Sequence, residues 1–279
     1  MPQPLSMQGS MRKAISPVIA AVILTSIMLT IVSVALYYST SLIDMNRQTM
    51  EYEYAKEQLT YAATALEQVA FGTGGSRYVR FSLTSTGISF EKASSPLSVW
   101  VWGVQGGGIQ QVFSGYPLRL KVCGGPLVTT SPRLLYPESG DLQGELKKLI
   151  VESGEPIVVV YENFSQRACA YMYTRVRVFY NGQINVTVGG SVKRYNFFTI
   201  HVVVLKPGYL GGSGTIPVVF RNVGLNVTEY KFDGSSDLAV LAEQGTLQQQ
   251  VKLPRAPEGA PADGLVVVVK VATVEVSTR

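Results

Sequence analysis

Chemically reactive side chains are scarce in this sequence. Its 279 residues include one histidine, His201, and two cysteines, and only 15% of them are charged. A zinc site needs four ligands that such a sequence does not supply. A catalytic pair would have to use His201, which lies in an apolar run typical of a strand, where we expect it to face solvent. We therefore expect no catalytic residue, no metal, no cofactor and no enzymatic activity.

Clustered positive charge is also missing. The formal net charge is only +5, and lysine and arginine are scattered along the chain. Binding to a nucleic-acid backbone needs a basic stripe that neutralises several phosphates. We therefore expect no nucleic-acid partner.

Charge of either sign is absent from one long segment near the N-terminus. No Asp, Glu, Lys or Arg occurs from Ile15 to Ile43. This segment is longer than the about 20 helical residues that cross a bilayer core, and longer than the apolar part of a secretory signal, about 7–15 residues. Arg12 and Lys13 precede it, and the next basic residue is Arg47. The positive-inside rule places the N-terminus in the cytoplasm and the rest outside, so the sequence predicts one membrane-spanning helix.

The helical pattern continues well beyond this apolar segment. Apolar side chains recur at spacings of three and four residues as far as Val69, and charged side chains occupy mostly other positions. Pro17 falls in the first turn, where its missing N–H costs little, and Gly72 is a good C-terminal stop. A helix over residues 17–71 would be on the order of 80 Å long. Its amphipathic second half is expected to pack against the domain that follows.

Two basic residues and one residue with a small side chain lie directly before the apolar segment. Arg12-Lys13-Ala14 is followed by Ile15-Ser16-Pro17-Val18-Ile19-Ala20. This junction resembles the class III signal peptide of archaeal type IV pilins, and the resemblance extends over residues 11–71, most specifically in the first dozen. It implies that a prepilin peptidase cuts between Ala14 and Ile15. The early acidic residue of bacterial type IV pilins is missing, as is typical of the archaeal members.

The resemblance implies a domain organisation and a set of partners. Residues 1–14 would be the leader, residues 15–71 a helix whose part 15–43 crosses the membrane and later forms a filament core, and residues 77–279 an extracellular β-domain. The expected partners are other copies, joined as a helical homopolymer through residues 15–71, the prepilin peptidase, the pilus assembly machinery and, before assembly, the membrane. The chain would move from the cell membrane to an adhesive surface filament.

Two other functions are compatible with the same sequence. One is a single-pass membrane-anchored extracytoplasmic binding protein, which would need neither cleavage after Ala14 nor a helix beyond Ile43. The other is an archaellin, the subunit of a swimming filament, which shares the signal and the helix. The start codon, which is Met1, Met7 or Met11, is also left open by the sequence.

From Arg77 onward the pattern is one of short strands and glycine-rich turns. This pattern predicts an antiparallel, Ig-like β-sandwich, so the expected fold class is α+β. One β-domain and two stacked sandwiches, divided near Ser153 or Arg194, are both open. Asn181-Gly182 predicts a hairpin turn, and one short helix is expected over residues 140–150. The predicted strands are 78–83, 97–104, 111–113, 119–122, 156–161, 168–180, 184–188, 195–205, 215–222, 229–232 and 264–277.

Several residues of the β-region are candidates for modification or binding. The sequons at Asn163, Asn185 and Asn226 all lie in the part expected outside the cell, which makes them glycosylation candidates. Cys123 and Cys169 could form a disulfide in an oxidising exterior or stay unpaired. We expect Trp100 and Trp102 to share one strand face. They would be core residues or a carbohydrate-binding aromatic patch.

Overall fold

The first element is a single long helix, α1, which runs from Pro17 to Phe71. The structure, a computed structural model, describes residues 17–72, 74–253 and 262–278. The most apolar 18-residue window of α1 has a mean hydropathy of 2.6, so the helix is long and apolar enough to span a membrane. These bounds confirm the predicted helix over residues 17–71.

The described part of the chain divides into two compact units after Arg47. The first contains the apolar part of α1, and the second begins at Gln48 and contains the rest of α1 with all the strands. The sequence-based boundary near residue 77 therefore separates helix from strand, but it does not separate two packing units. The second half of α1 belongs to the β-domain.

In the described residues, strands and one short helix follow α1, which confirms the predicted α+β class. The short helix α2 spans Leu142–Lys147 and is capped at its N-terminus by Asp141, whose side chain accepts a hydrogen bond from Gly144 N. It is shorter than the helix expected over residues 140–150. The strands are β1 (Ser76–Leu83), β2 (Gly87–Lys92), β3 (Leu97–Gly103), β4 (Gln110–Gly115), β5 (Leu118–Cys123), β6 (Arg133–Tyr136), β7 (Ile150–Val151), β8 (Val158–Phe164), β9 (Ala168–Thr174), β10 (Val176–Val188), β11 (Ser191–Pro207), β12 (Gly214–Asp233), β13 (Leu238–Gln244), β14 (Leu247–Lys252) and β15 (Gly264–Ser277).

In the described residues the strands form three sheets, whereas a single Ig-like sandwich has two. The six-stranded sheet has the order β1-β12-β15-β11-β10-β7, the four-stranded sheet β14-β13-β3-β4, and the five-stranded sheet β2-β5-β9-β8-β6. Most neighbours are antiparallel, but β11 pairs with β15, and β10 with β7, in parallel. The largest sheet is therefore mixed, because the last strand inserts between β11 and β12.

The six-stranded sheet is the middle layer of the second unit, with a hydrophobic core on each face. Side chains alternate between the two faces of a strand. In β15, Leu265 and Val267 pack with the four-stranded sheet, while Val274 and Val276 pack with the second half of α1 and the five-stranded sheet. This double burial explains why β15 is apolar along nearly its whole length.

One predicted strand, residues 168–180, is two strands in different sheets. The break falls at Arg175, between β9 and β10. The Arg175 guanidinium is buried, where Nη1 donates to Glu145 Oε2 (2.6 Å) and Nη2 to Pro156 O (2.6 Å). The alternation of side chains is the same on both sides of Arg175, so the sequence pattern gives no sign that the chain changes sheet there.

The predicted hairpin turn at Asn181-Gly182 is wrong. Both residues lie inside β10, where the register shifts at a bulge between Tyr180 and Gly182. The chain reverses instead at Gly189-Gly190, whose φ angles of 57° and 83° suit a two-residue hairpin turn. The Asn181 side chain donates to Thr199 Oγ1 (2.6 Å), which holds it in the sheet. Similarly, the predicted strands 215–222 and 229–232 form one strand, β12, with a bulge near Asn222.

Candidate functional site

The first half of α1 is apolar on all of its sides. Every large apolar side chain from Val18 to Ile43 is exposed. The hydroxyls of Thr25, Ser26 and Thr30 donate to main-chain carbonyls one turn earlier, so they leave no unsatisfied donor on the surface. An apolar surface of this extent needs a cover of lipid or protein. We therefore take this segment as the candidate functional element.

The second half of α1 is a core helix of the β-domain. Its buried stripe recurs every three or four residues and includes Tyr52, Leu59 and Leu66, each fully buried. The Glu67 carboxylate accepts hydrogen bonds from the main-chain N–H groups of Ile157 and Val158. Such contacts join the helix to the sheets through polar as well as apolar groups. One stripe of this half stays exposed and contains Met50, Glu53, Tyr54, Glu57, Tyr61, Thr64 and Gln68.

Glu51 fixes the start of this packed half to the turn after β1. Its carboxylate accepts hydrogen bonds from the main-chain N–H groups of Thr84, Ser85 (2.8 Å) and Thr86 (3.3 Å) and from the hydroxyls of Ser85 (2.7 Å) and Thr86 (3.2 Å). Partial burial opposes ionisation, but these hydrogen bonds outweigh it, and the pKa of Glu51 lies below its usual value. Glu51 is therefore a charged anchor at neutral pH.

A second loop holds the same turn of α1 from another direction. Gln48 Oε1 accepts a hydrogen bond from Leu127 N (3.2 Å), and a side chain at Gly125 would collide with the Gln48 amide. This loop follows directly on Cys123, which forms a disulfide with Cys169 between paired strands β5 and β9. The sequence leaves open whether Cys123 and Cys169 pair, and the structure shows that they do. The disulfide lies where the loop leaves the sheet.

A buried ion pair adds a third attachment. Lys56 Nζ lies 2.9 Å from Glu162 Oε2, and both side chains are almost completely buried. Glu162 also pairs with the mostly exposed Arg133 (3.2 Å), and Lys56 with Glu53 (2.7 Å). Breaking such a pair on one side leaves an uncompensated buried charge. The pair therefore constrains how α1 lies on β8.

His201 is partly buried, not open to solvent as the sequence suggests. Its ring lies between Phe71 (centroids 4.9 Å apart) and Phe179 (5.5 Å, stacked), and the Arg177 guanidinium lies over Phe71. Burial, then the nearby charges of Lys270 and Arg177, lower the pKa of His201 to about 4. The end of α1 thus covers a strand position that would otherwise be open to solvent. Because the pKa of His201 lies well below 7, the ring is neutral at physiological pH.

The remaining candidate residues are those of the leader and cleavage site and the three sequons. Arg12, Lys13, Ala14 and Ile15, the leader charges and the cleavage site, lie outside. Asn163, Asn185 and Asn226 are all exposed, on β8, β10 and β12. Their accessibility permits glycosylation, which stays a prediction.

The two tryptophans lie where the sequence places them. Trp100 and Trp102 share the outer face of β3, and both are half-exposed, while Val99 and Val101 point into the core. They are therefore neither core residues nor free surface residues. Within the described residues, no group of three or more His, Cys, Asp or Glu side chains could hold a metal ion.

Two open grooves on the described part of the second unit are lined by charged side chains, and sequence reasoning found neither of them. One, of about 660 Å³, lies along β1 and β12 and is lined by Ser76, Arg77, Tyr78, Arg80, Thr215, Pro217 and Val219. The other, of about 450 Å³, lies beside the exposed stripe of α1 and is lined by Glu53, Tyr54, Lys56, Glu57, Thr60, Arg133, Leu135 and Glu138. We call them the basic groove and the acidic groove. Comparison of the chain with protein-family models, curated proteins and solved structures finds no match.

Proposed function

We propose that this chain is a structural subunit of an archaeal type IV pilus-like surface filament that serves adhesion. One observation carries the proposal: a single helix is apolar and exposed on all sides in its first half and built into a domain core in its second. A membrane anchor needs only about 20 residues and no packed continuation. A helix that must carry a domain out of the lipid and into a filament needs both halves.

The leader has a defined part in this proposal. Cleavage between Ala14 and Ile15 removes Arg12 and Lys13, the charges that keep the helix end at the cytoplasmic face of the membrane. The helix can then exchange lipid for the helices of other copies. Small residues permit close approach of helices, and the exposed apolar half contains Ala20, Ala21, Ser26, Ser33 and Ala35.

The β-domain supplies the outer surface in this proposal. The attachments at Glu51, Gln48 and Lys56 tie it to the packed half of α1. Its partners are further copies of the chain, the prepilin peptidase and the assembly machinery. The three exposed sequons would carry glycans on this surface.

A matched pair of variants at the cleavage site tests the proposal. Small residues at this position are expected to be accepted by the peptidase, so Ala14→Gly should assemble like the wild type and Ala14→Leu should stay in the membrane with its leader. The measurement is the amount of chain in filaments sheared from cells, with the total amount in cells as control. The proposal would be contradicted if both variants were found in sheared filaments in equal amounts and both still carried the leader.

A second candidate function is a membrane-anchored extracytoplasmic binding protein. The half-exposed Trp100 and Trp102 on one strand face favour it, because paired aromatic rings can stack on sugars. This function needs no processing at Ala14, so both variants at that position would stay in the membrane fraction and keep binding. An archaellin would instead behave like a pilin in the cleavage test, and loss of swimming on deletion of the chain would identify it.

A further inference from the structure

The basic groove presents positive charge without a partner. Arg77 and Arg80 are exposed and, among the described residues, neither has a carboxylate within ion-pair distance. Tyr78 is 61% exposed, and the Arg80 guanidinium lies over its ring (5.9 Å). Pro217 and Val219 complete an apolar floor, and no acidic side chain lines the groove. The groove therefore suits a partner that carries negative charge beside an apolar or aromatic group.

The acidic groove has the opposite character. Glu57 and Glu138 are exposed and, in the part of the chain that the structure describes, neither is in an ion pair. The two cations in its lining, Lys56 and Arg133, are both paired with the buried Glu162. The groove thus keeps a negative excess. Tyr54, 44% exposed, lies among these carboxylates, so this groove also combines charge with an aromatic ring.

The two grooves lie on different sides of the second unit. In β1, Val79 and Phe81 point into the core that contains α1, so Tyr78 and Arg80 point away from it, while Arg77 lines the groove from the other face of this edge strand. Glu53 and Glu57 lie on the exposed stripe of α1, opposite the stripe that faces the same core. One copy therefore cannot bring its own grooves together, but two copies can.

We propose that the basic groove of one copy binds the acidic groove of the next. This inference rests on the proposed filament function and names a contact between the β-domains that the helix alone does not provide. Because the two surfaces differ, the contact is heterologous, and each copy keeps one groove free for a further copy. A heterologous contact repeats along an open helical chain when the rotation between copies does not close into a ring, and a filament requires such an open chain.

Charge and the aromatic rings have separate roles in this contact. Complementary charge selects the partner and fixes the register, and like charges placed opposite each other strongly disfavour association. Exposed ion pairs alone contribute little, so exclusion of water by Tyr54, Tyr78 and Pro217 is needed to make the pairs effective. The contact should weaken at high salt, because ions screen exposed charges over about 10 Å at 0.1 M.

A charge exchange tests the contact in the full-length chain, produced in filament-forming cells. Arg77→Glu with Arg80→Glu gives one double variant, and Glu57→Lys with Glu138→Lys gives the other. We expect each to lower the sheared-filament fraction at least about tenfold, since it places like charges together. The quadruple variant should recover most of the fraction. Arg167→Glu with Lys252→Glu, exposed positions outside both grooves, is the matched control and should assemble like the wild type.

Each outcome bears on the inference. Normal filaments from both double variants would overturn it while leaving the proposed function intact, and so would a quadruple variant that folds normally by thermal unfolding but fails to recover. If the arginine variant forms normal filaments yet no longer binds an acidic polysaccharide such as alginate, the basic groove is a ligand site and the inference is wrong. If the wild type itself is never found in filaments, the proposed function fails first, and this inference falls with it.

Discussion

At the scale of single residues, Glu51 shows how one carboxylate can organise a turn. It satisfies three main-chain N–H groups and two hydroxyls of Thr84, Ser85 and Thr86. Hydrogen bonds to a charged acceptor are stronger than those between neutral groups. The residues of this turn would otherwise have to find water or leave donors unpaired.

Replacing Glu51 by Gln should lower the free energy of unfolding by about 1–3 kcal/mol, because the charged acceptor is lost. The pKa of Glu51 is lower in the folded state than in the unfolded state, so its contribution is present above the unfolded value, about 4.3, and is lost as pH falls through the folded value. Urea unfolding of the detergent-solubilised chain, followed by tryptophan fluorescence, measures this. Glu57→Gln is the exposed control, and an equal loss in both variants would contradict the role of Glu51.

His201 has a linkage to pH of the same sign as Glu51, at higher pH. Its pKa is lowered to about 4, so between that value and the unfolded value, about 6.5, the unfolded state binds more protons. Stability is then fully present above pH 6.5 and falls as pH drops toward 4. After allowance for solvent screening of a partly buried ring, we expect a loss of about 1–2 kcal/mol.

His201→Gln should flatten the stability profile between pH 6.5 and 4, although it will lower stability at pH 7 through lost ring packing with Phe71 and Phe179. The same unfolding measurement, repeated across this pH range, gives the profile. A variant that keeps the wild-type acid sensitivity in this range would show that another group causes it.

At the scale of elements, the second half of α1 depends on the loops and strands that surround it. The Cys123–Cys169 disulfide joins β5 to β9 and leads into the loop that contacts Gln48. The cysteines are 46 residues apart in sequence, so the bond restricts a sizeable loop in the unfolded chain. Its removal should therefore affect the whole second unit.

The double variant Cys123→Ser, Cys169→Ser should lose about 2–4 kcal/mol of stability, the usual contribution of a native disulfide. Thermal unfolding of the wild type in reducing agent should show the same decrease. The control is the double variant in reducing agent, which should not change further. A wild type whose unfolding is indifferent to reduction would contradict this account.

The elements also show where sequence patterns succeed and fail. The bounds of α1 and β15 follow from uninterrupted apolar patterns and clear stop residues. In contrast, the change of sheet at Arg175 is invisible, because alternation is the same on both sides and the deciding partner, Glu145, is distant in sequence. Asn181-Gly182 has a strong local turn preference, but Gly189-Gly190 provides the turn, and pairing with β11 absorbs Gly182 as a bulge.

At the scale of the whole molecule, the apolar helix could be identified from sequence and the surfaces of the β-domain could not. A run of uncharged residues is a local signal. The basic groove joins β1 to β12, more than a hundred residues later, and the acidic groove joins α1 to the segment around β6. Only the packing of three sheets and a helix brings these residues together. The leader cleavage site lies outside the described residues and rests on sequence alone.

The most direct test of the central claim is the N-terminal residue of the chain in filaments sheared from native cells, measured by mass spectrometry. The account predicts Ile15 as the first residue, which would establish cleavage after Ala14 and incorporation into filaments in one measurement. Recovery of the chain only from membranes, with residues before Ile15 intact, would contradict the filament proposal and favour an anchored binding protein.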